Sequence, residues 1–436
     1  MRTKFYITVF LLGSLVFQAG AQNPVVAPAQ AKPVLLVGGT IHTGTGEVIA
    51  DAIIAFSGGK ITFVGKEDDF RADRSAYNVV DITGKQVYPG LIFPNTTLGL
   101  TEIGNGLEVA DDTRETGDLN PDVRAIVAYN TDSQVIPVIR SNGILLAQIV
   151  PEGTLLPGTC SVVQLDAWNW KDATYKADNG MMLNWPRKSV PVGRRMFFQP
   201  AGETSNYDKS VEQLEKIFAD AVAYAEVEKP TDCNLRLESM KGLFDGSKTL
   251  FLSAPEAKGI IESILFAKRY GVKKIALVNA DETAWSVKDF LKENNIPVLV
   301  DNPFTLPKND FSDTKEPFRL TAMFHKEGIL AGLCYSSQAY GNLPFAAGEA
   351  AAYGLTKEEA LQTVTLNTAK ILGIDDLTGS LETGKDANIV VSTGDLLDMK
   401  TNNVELAFIQ GRQISLDNKH KQLYRRFEVK YENLKR

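Results

Sequence analysis

VYPGLIFPNTTLGL, residues 87–100, is an apolar run that ends in small polar residues. Val87 to Phe93, broken only by Pro89-Gly90, has the composition of a buried strand. Asn95, Thr96 and Thr97 have that of the loop the strand runs into. On either side of this junction the chain has a different texture.

Upstream, GGTIHTGTGEVIADAIIAFSGGKITFVG (38–65) is a series of short apolar runs separated by Gly38-Gly39, Gly44, Gly46 and Gly58-Gly59. That pattern predicts consecutive β-strands joined by tight turns, and Val79 to Ile82 and Gln86-Val87 continue it. Downstream, apolar runs alternate with helical patterns. KTLFL (248–252) reads as a strand. PEAKGIIESILFAKRYG (255–271) reads as a helix that starts at Pro255, stops at Gly271 and carries Ile260, Ile261, Ile264 and Leu265 on one face. KIALV, a helix capped by Asp281, and IPVLV follow, and a helix at 314–327 with a strand at 329–335 repeats the unit. Strands alternating with amphipathic helices imply parallel pairing with right-handed crossovers, and over this length a closed (β/α)8 TIM-like barrel.

After residue 343 come two helices, the second opening with a capping box, Thr356-x-x-Glu359. GSLETGKDANIVV (379–391) then returns to the glycine-punctuated strand texture of residues 34–90. The fold class is therefore α/β. A barrel at 91–378 is inserted in a small β-sandwich built from both ends of the chain, 34–90 and 379–418.

The chain has 436 residues, 44% hydrophobic and 23% charged, which is the composition of a globular protein long enough for a large core. A net charge of -7 argues against nucleic acid as a partner, because phosphate binding needs a basic footprint. Residues 1–21 read as a signal peptide, with Arg2 and Lys4 before an apolar core from Phe5 to Phe17 and a small-residue cleavage site at Ala19-Gly20-Ala21. No second apolar stretch of membrane-spanning length follows. The expectation is an exported chain, periplasmic or secreted, that starts at Gln22. Residues 22–33 are expected to be a flexible lead-in, and 419–436 a basic amphipathic tail whose helix is solvated or packs on the body. Cys160, Cys233 and Cys334 are too widely spaced for a disulfide framework or a zinc site, so they read as small buried hydrophobes.

These segments in this order resemble the metal-dependent amidohydrolase superfamily, and within it the secreted, imidazolonepropionase-like branch. The resemblance covers nearly all of the chain after residue 33. Its most specific segment is YGLTKEEALQTVTLNTAKILGIDDLTGSLETGKDANIVV (353–391), and GTLLPGTCSVVQLDAWNW (153–170) and LNWP (183–186) are similar to the secreted branch. The resemblance implies one or two divalent metals at the C-terminal mouth of the barrel, where metal-bound hydroxide attacks a carbonyl-type carbon. The family's ligands are a His-x-His ending its first strand, a carboxylated Lys or an acid on its fourth, a His on each of its fifth and sixth, and an Asp on its eighth.

The family phrase Pro-Gly-Leu-Ile-Asp-x-His-x-His-Leu-Gly aligns without a gap on residues 89–99. Asn95 and Thr97 then stand at the two histidine positions and Phe93 at that of the preceding Asp. Counting along the later strands places Ser253 and Asn279 at the two single histidines, and Ser336 or Ser337 near the aspartate. The fourth-strand ligand has no counterpart in this reading. The chain has three histidines: His42 in the small β-domain, His325 in the helix before the last barrel strand, and His420 in the tail. None is placed to ligate a metal at the mouth.

Asn, Thr and Ser offer neutral oxygens, which do not replace imidazole and carboxylate around a zinc ion that must acidify water. The expectation is a catalytically degenerate homologue, a pseudoenzyme without a bound cofactor. It would partner an intact paralogue or a second copy of itself, or bind a small molecule in the former active-site mouth. The alternative is an active hydrolase of non-peptide carbon–nitrogen bonds with a non-standard site. Cys160, Ser253 or Ser336 would be its nucleophile, or the acidic segment Glu102, Glu108, Asp111, Asp112, Glu115 and Asp118 would hold a hard cation. That segment matches no calcium-loop spacing and reads first as a solvated loop.

Overall fold

The computed structural model describes residues 24–102, 113–188, 206–227, 232–305, 313–335 and 340–434. Residues 1–21, expected to be a signal peptide, lie outside them. The strands form two eight-stranded sheets. The first takes Val34–His42, Val48–Ser57, Lys60–Lys66, Asn78–Asp81 and Gln86–Pro89 from the front of the chain, and Ile389–Ser392, Val404–Ile409 and Arg412–Gln413 from its end. The two halves join where Ile389–Ser392 pairs antiparallel with Gln86–Pro89. Hydrogen bonding makes this one continuous sheet, and it becomes a sandwich by folding over its apolar face. Phe56 and Phe408 lie on strands that are not neighbours, yet their rings meet edge-on at 5.0 Å.

The second sheet is the barrel. Its strands 1 to 8 are Leu91–Thr96, Ile144–Ile149, Gly158–Gln164, Thr174–Asn184, Thr249–Ser253, Ile275–Ala280, Val298–Val300 and Ala331–Leu333. All seven of its pairings were expected to be parallel; five are, but strand 3 runs antiparallel to both strand 2 and strand 4. The connection at 150–157 explains the difference: it is too short for a crossover helix and carries Pro151, Gly153 and Pro157, so the chain returns as a hairpin. The ladder also stops between strands 8 and 1. There the turn between helices Lys357–Thr363 and Leu366–Leu372 closes the wall. Ile92 N donates to Val364 O at 2.9 Å, and Asn367 Nδ2 donates to Ala331 O at 3.0 Å. The barrel interior is a packed core that includes Ile92, Leu146, Cys160, Phe251, Leu299 and Cys334.

Outer helices follow the sequence pattern with two breaks and one shift: the helix capped by Asp281 divides into Glu282–Trp285 and Lys288–Glu293, and the one opening at Thr356 into Lys357–Thr363 and Leu366–Leu372. In Ala257–Arg269 the buried residues include Ile260, Ile264, Phe266 and Ala267, while Leu265 is 52% exposed. Leu265 falls one step off the row that Ile260, Ile264 and Ala267 share, so the aromatic ring of Phe266 takes the place expected for it. Asp281 caps its helix through Thr283 N at 2.8 Å, and the Thr356–Glu359 capping box is formed.

Residues 24–33 are tied down rather than loose. Ala27 N donates to Asp166 Oδ2 at 2.9 Å, and Arg412 Nη1 donates to Ala27 O at 3.1 Å. Asp166 is almost fully buried between two guanidinium groups, Arg140 Nη1 at 2.6 Å and Arg412 Nη1 at 2.9 Å. One carboxylate thereby joins the N-terminal strap, the barrel and the last strand of the folded sheet. The tail forms helix Lys419–Leu434, with Leu423, Tyr424, Phe427 and Tyr431 exposed. Among the described residues no helix is long and apolar enough to cross a membrane.

Asp166→Ala leaves the buried Arg140 and the part-buried Arg412 without their counter-charge. It is expected to lower stability by about 3 to 5 kcal/mol, measured by urea denaturation. A loss below about 1 kcal/mol would mean that the cluster is not an anchor.

Candidate site at the barrel mouth

Barrel strands 1 and 6 each have as their penultimate residue an asparagine held in the left-handed region, Asn95 at φ 52° and Asn279 at φ 55°. Asparagine tolerates this conformation better than most side chains. Asn95 Nδ2 donates to Asn279 Oδ1 at 2.8 Å, so the two strands are bonded to each other across the mouth. The chain continues polar on both sides of this pair. Asn95 N donates to Gln148 Oε1 at 3.2 Å, and Gln148 Nε2 donates to Cys160 Sγ at 3.4 Å. On the far side, Cys334 Sγ lies 3.7 Å from both Asn279 Oδ1 and Leu299 O. Thr97 stands just beyond strand 1, with its Oγ1 3.5 Å from Tyr340 OH.

Of the residues singled out from the sequence, Asn95 and Asn279 are brought into direct contact, and Thr97 sits at the edge of the same mouth. Ser253 is the last residue of strand 5, in parallel register with Asn184 on strand 4, and its carbonyl accepts from Trp185 N at 2.8 Å. Ser336 and Ser337 lie outside the described residues, as do Glu108, Asp111 and Asp112. The remaining acids of that segment do not converge: Glu102 accepts from Asn130, Asp118 from Thr154, and Glu115 is exposed. His42 lies in the folded sheet against Glu358, His325 pairs with Glu359 at 3.2 Å, and His420 is exposed.

Gln148, Cys334, Tyr340 and Asn184 were not anticipated at the mouth. Gln148 had a usable signal, because it is the single polar residue in the fully buried strand ILLAQI. Asn184 had none, since the strand-4 position emerges only from its register with Ser253.

Among the described residues, the groups bonded around the amide pair are amides and thiols, with the Thr97 and Tyr340 hydroxyls beside them. Burial pushes the Cys160 thiol up to about 12. Burial, followed by the field of Asp301, holds Cys334 well above the usual thiol range. Both are therefore protonated at neutral pH and poor nucleophiles. The side-chain partner of Cys160 is the amide of Gln148, which cannot act as a base to activate it. A catalytic zinc site needs imidazole, thiolate or carboxylate donors around an open position. Here the two amides at the ligand positions are bonded to each other, and among the described residues no three His, Cys, Asp or Glu side chains are grouped to hold a metal ion. The described residues do not fit the metal that the fold implies. Beside strands 6 and 7 the rim is acidic: Asp281, Glu282, Asp301, Asp313 and Glu316 line one pocket, with Asp313 paired to Arg319. Such a rim opposes the approach of anions.

Residues 236–414 match a family model described as "Amidohydrolase family". No curated protein matches the chain. Among solved structures, the chain is similar to an amidohydrolase from Thermotoga maritima MSB8. The identity is 25% over 88% of this chain and 99% of that one, with a TM-score of 0.74. It shares its fold with a molinate hydrolase at 16% identity, 88% and 95% coverage and a TM-score of 0.56. It also shares it with a Xaa-Pro dipeptidase that has methionine bound in its active site, at 13% identity, 88% and 100% coverage and a TM-score of 0.54.

Burial sets the expected thiol reactivity. In the folded protein a thiol reagent should modify Cys233, which is exposed, while Cys160 and Cys334 react only after denaturation. Rapid native labelling of Cys160, read by mass spectrometry, would show that the barrel interior is open.

Proposed function

We propose that this chain, an amidohydrolase-superfamily protein by its fold and by its domain at 236–414, is an exported, non-catalytic homologue whose barrel mouth binds a small polar molecule. The observation that carries this reading is the Asn95–Asn279 hydrogen bond at 2.8 Å, which joins two positions where the family resemblance puts metal ligands. An amide pair is a donor and an acceptor held in place at the end of a rigid barrel, the kind of group that fixes the orientation of a ligand carrying an amide, imide or urea function. The acidic rim favours a neutral or cationic ligand over an anionic one. An intact paralogue is the partner that would give such a subunit a place in catalysis.

A panel of neutral amides, cyclic imides and dipeptides tests this by thermal shift and by turnover on the same samples. The expected outcome is that at least one compound raises the melting temperature without being consumed. Asn95→Ala should abolish that shift while the unliganded protein still unfolds cooperatively. Hydrolysis of any compound that a chelator stops would contradict the reading. A panel without shifts, combined with co-purification of an intact paralogue, would move the role from ligand binder to partner subunit.

A further inference from the structure

His42 is the last residue of strand Val34–His42, at the face where the folded sheet meets the barrel's closing helices. Its ring stacks on Tyr88, with centroids 4.5 Å apart and planes 9° from parallel. Nδ1 lies 2.6 Å from Glu358 Oε1, on the first turn of helix Lys357–Thr363, and Nε2 lies 2.9 Å from Gln86 Oε1, on the neighbouring strand. Both ring nitrogens thus face oxygens. Only the imidazolium donates from both nitrogens; a neutral ring has one N–H, so it keeps both contacts only if Gln86 turns its amide. We propose that His42 is a pH-dependent clamp between the folded sheet and the barrel, closed when the ring is charged and loosened when it loses its proton.

The surroundings favour the charged ring. Glu358 Oε2 is buried without a hydrogen-bond partner, so the His42 charge is what compensates this carboxylate. From the segment after strand Ile389–Ser392 comes Asp395, whose own partner is Lys357 Nζ at 2.6 Å. These groups line a cavity of about 300 Å³ through which the junction meets solvent. The titratable and charged groups around the ring are therefore Glu358 and Lys357 from the helix, Asp395 from the far end of the chain, and Tyr88 beneath it. Burial pulls the His42 midpoint down. The hydrogen bonds to Glu358 and Gln86, with the fields of Glu358 and Asp395, outweigh it and leave the midpoint above the ordinary histidine value. The next carboxylate on the same turn, Glu359, takes His325 of helix Glu316–Lys326 at 3.2 Å. Two of the three histidines in the chain are thus gathered on one turn of the 353–391 segment.

A raised folded midpoint fixes the sign of the effect. The clamp contributes fully below the unfolded histidine midpoint and is lost as pH rises through the folded one. The unfolding constant should then increase by about tenfold for each pH unit between the two midpoints. Urea denaturation between pH 5.5 and 9, with NMR titration of the three histidine rings, measures both quantities. The expected result is a histidine signal titrating above the free value, absent in His42→Gln and shifted down in Glu358→Gln, with a pH dependence of stability that flattens in both variants. If His42→Gln does not fold, the wild-type titration and Glu358→Gln decide alone. Parallel stability profiles for the wild type and Glu358→Gln, or a His42 midpoint at or below that of free histidine, would overturn the proposal.

Discussion

The hydrogen bond from Asn95 to Asn279 is the constraint on which the character of the mouth depends. It joins strands 1 and 6 at their C-terminal ends, where a barrel of this kind keeps its chemistry. Both residues sit in the left-handed region, so the backbone turns each amide inward. Gln148 and Cys334 then complete a set of partners from strands 2 and 8. A chain of neutral groups that satisfy one another has little capacity left for a cation, and two buried thiols held in their protonated form add no nucleophile to it.

The barrel that presents this mouth is held by devices outside its ladder. Strand 3 is reversed, and the gap between strands 8 and 1 is closed by backbone and side-chain bonds from the turn at 363–367. The folded sheet is equally dependent on distant partners, because its strands come from both ends of the chain. Asp166 and the Glu358–His42 contact tie the two sheets together at separate places, the first through two arginines and the second through an imidazole that can lose its charge.

Much of this was legible because it rests on local pattern. Glycine punctuation marked the strands at 34–66, helical spacing marked 257–269, and flanking residues 89–92 and 98–99 fixed the register that put Asn95 and Thr97 at the mouth. Counting between elements was enough to place Asn279 and Ser253 at strand ends. The direction of strand 3 was not legible, since two apolar runs joined by a short connection do not declare how they pair. Nor was the bond between Asn95 and Asn279, which are 184 residues apart, or the role of Gln148, whose meaning appears only when its strand is seen to be buried along its whole length. Leu265 and Phe266 illustrate the remaining error: helical periodicity gives a face, while packing against the neighbouring aromatics Phe218 and Tyr270 decides which side chain fills it.

The central claim is that the described groups at the mouth satisfy each other and do not fit the metal its fold implies. Calorimetric titration of zinc into the purified, chelator-treated protein measures this directly. The account predicts no saturable site in the wild type, and none created or lost on Asn279→Ala. One equivalent of tightly bound zinc in the wild type, abolished by Asn279→Ala, would contradict it.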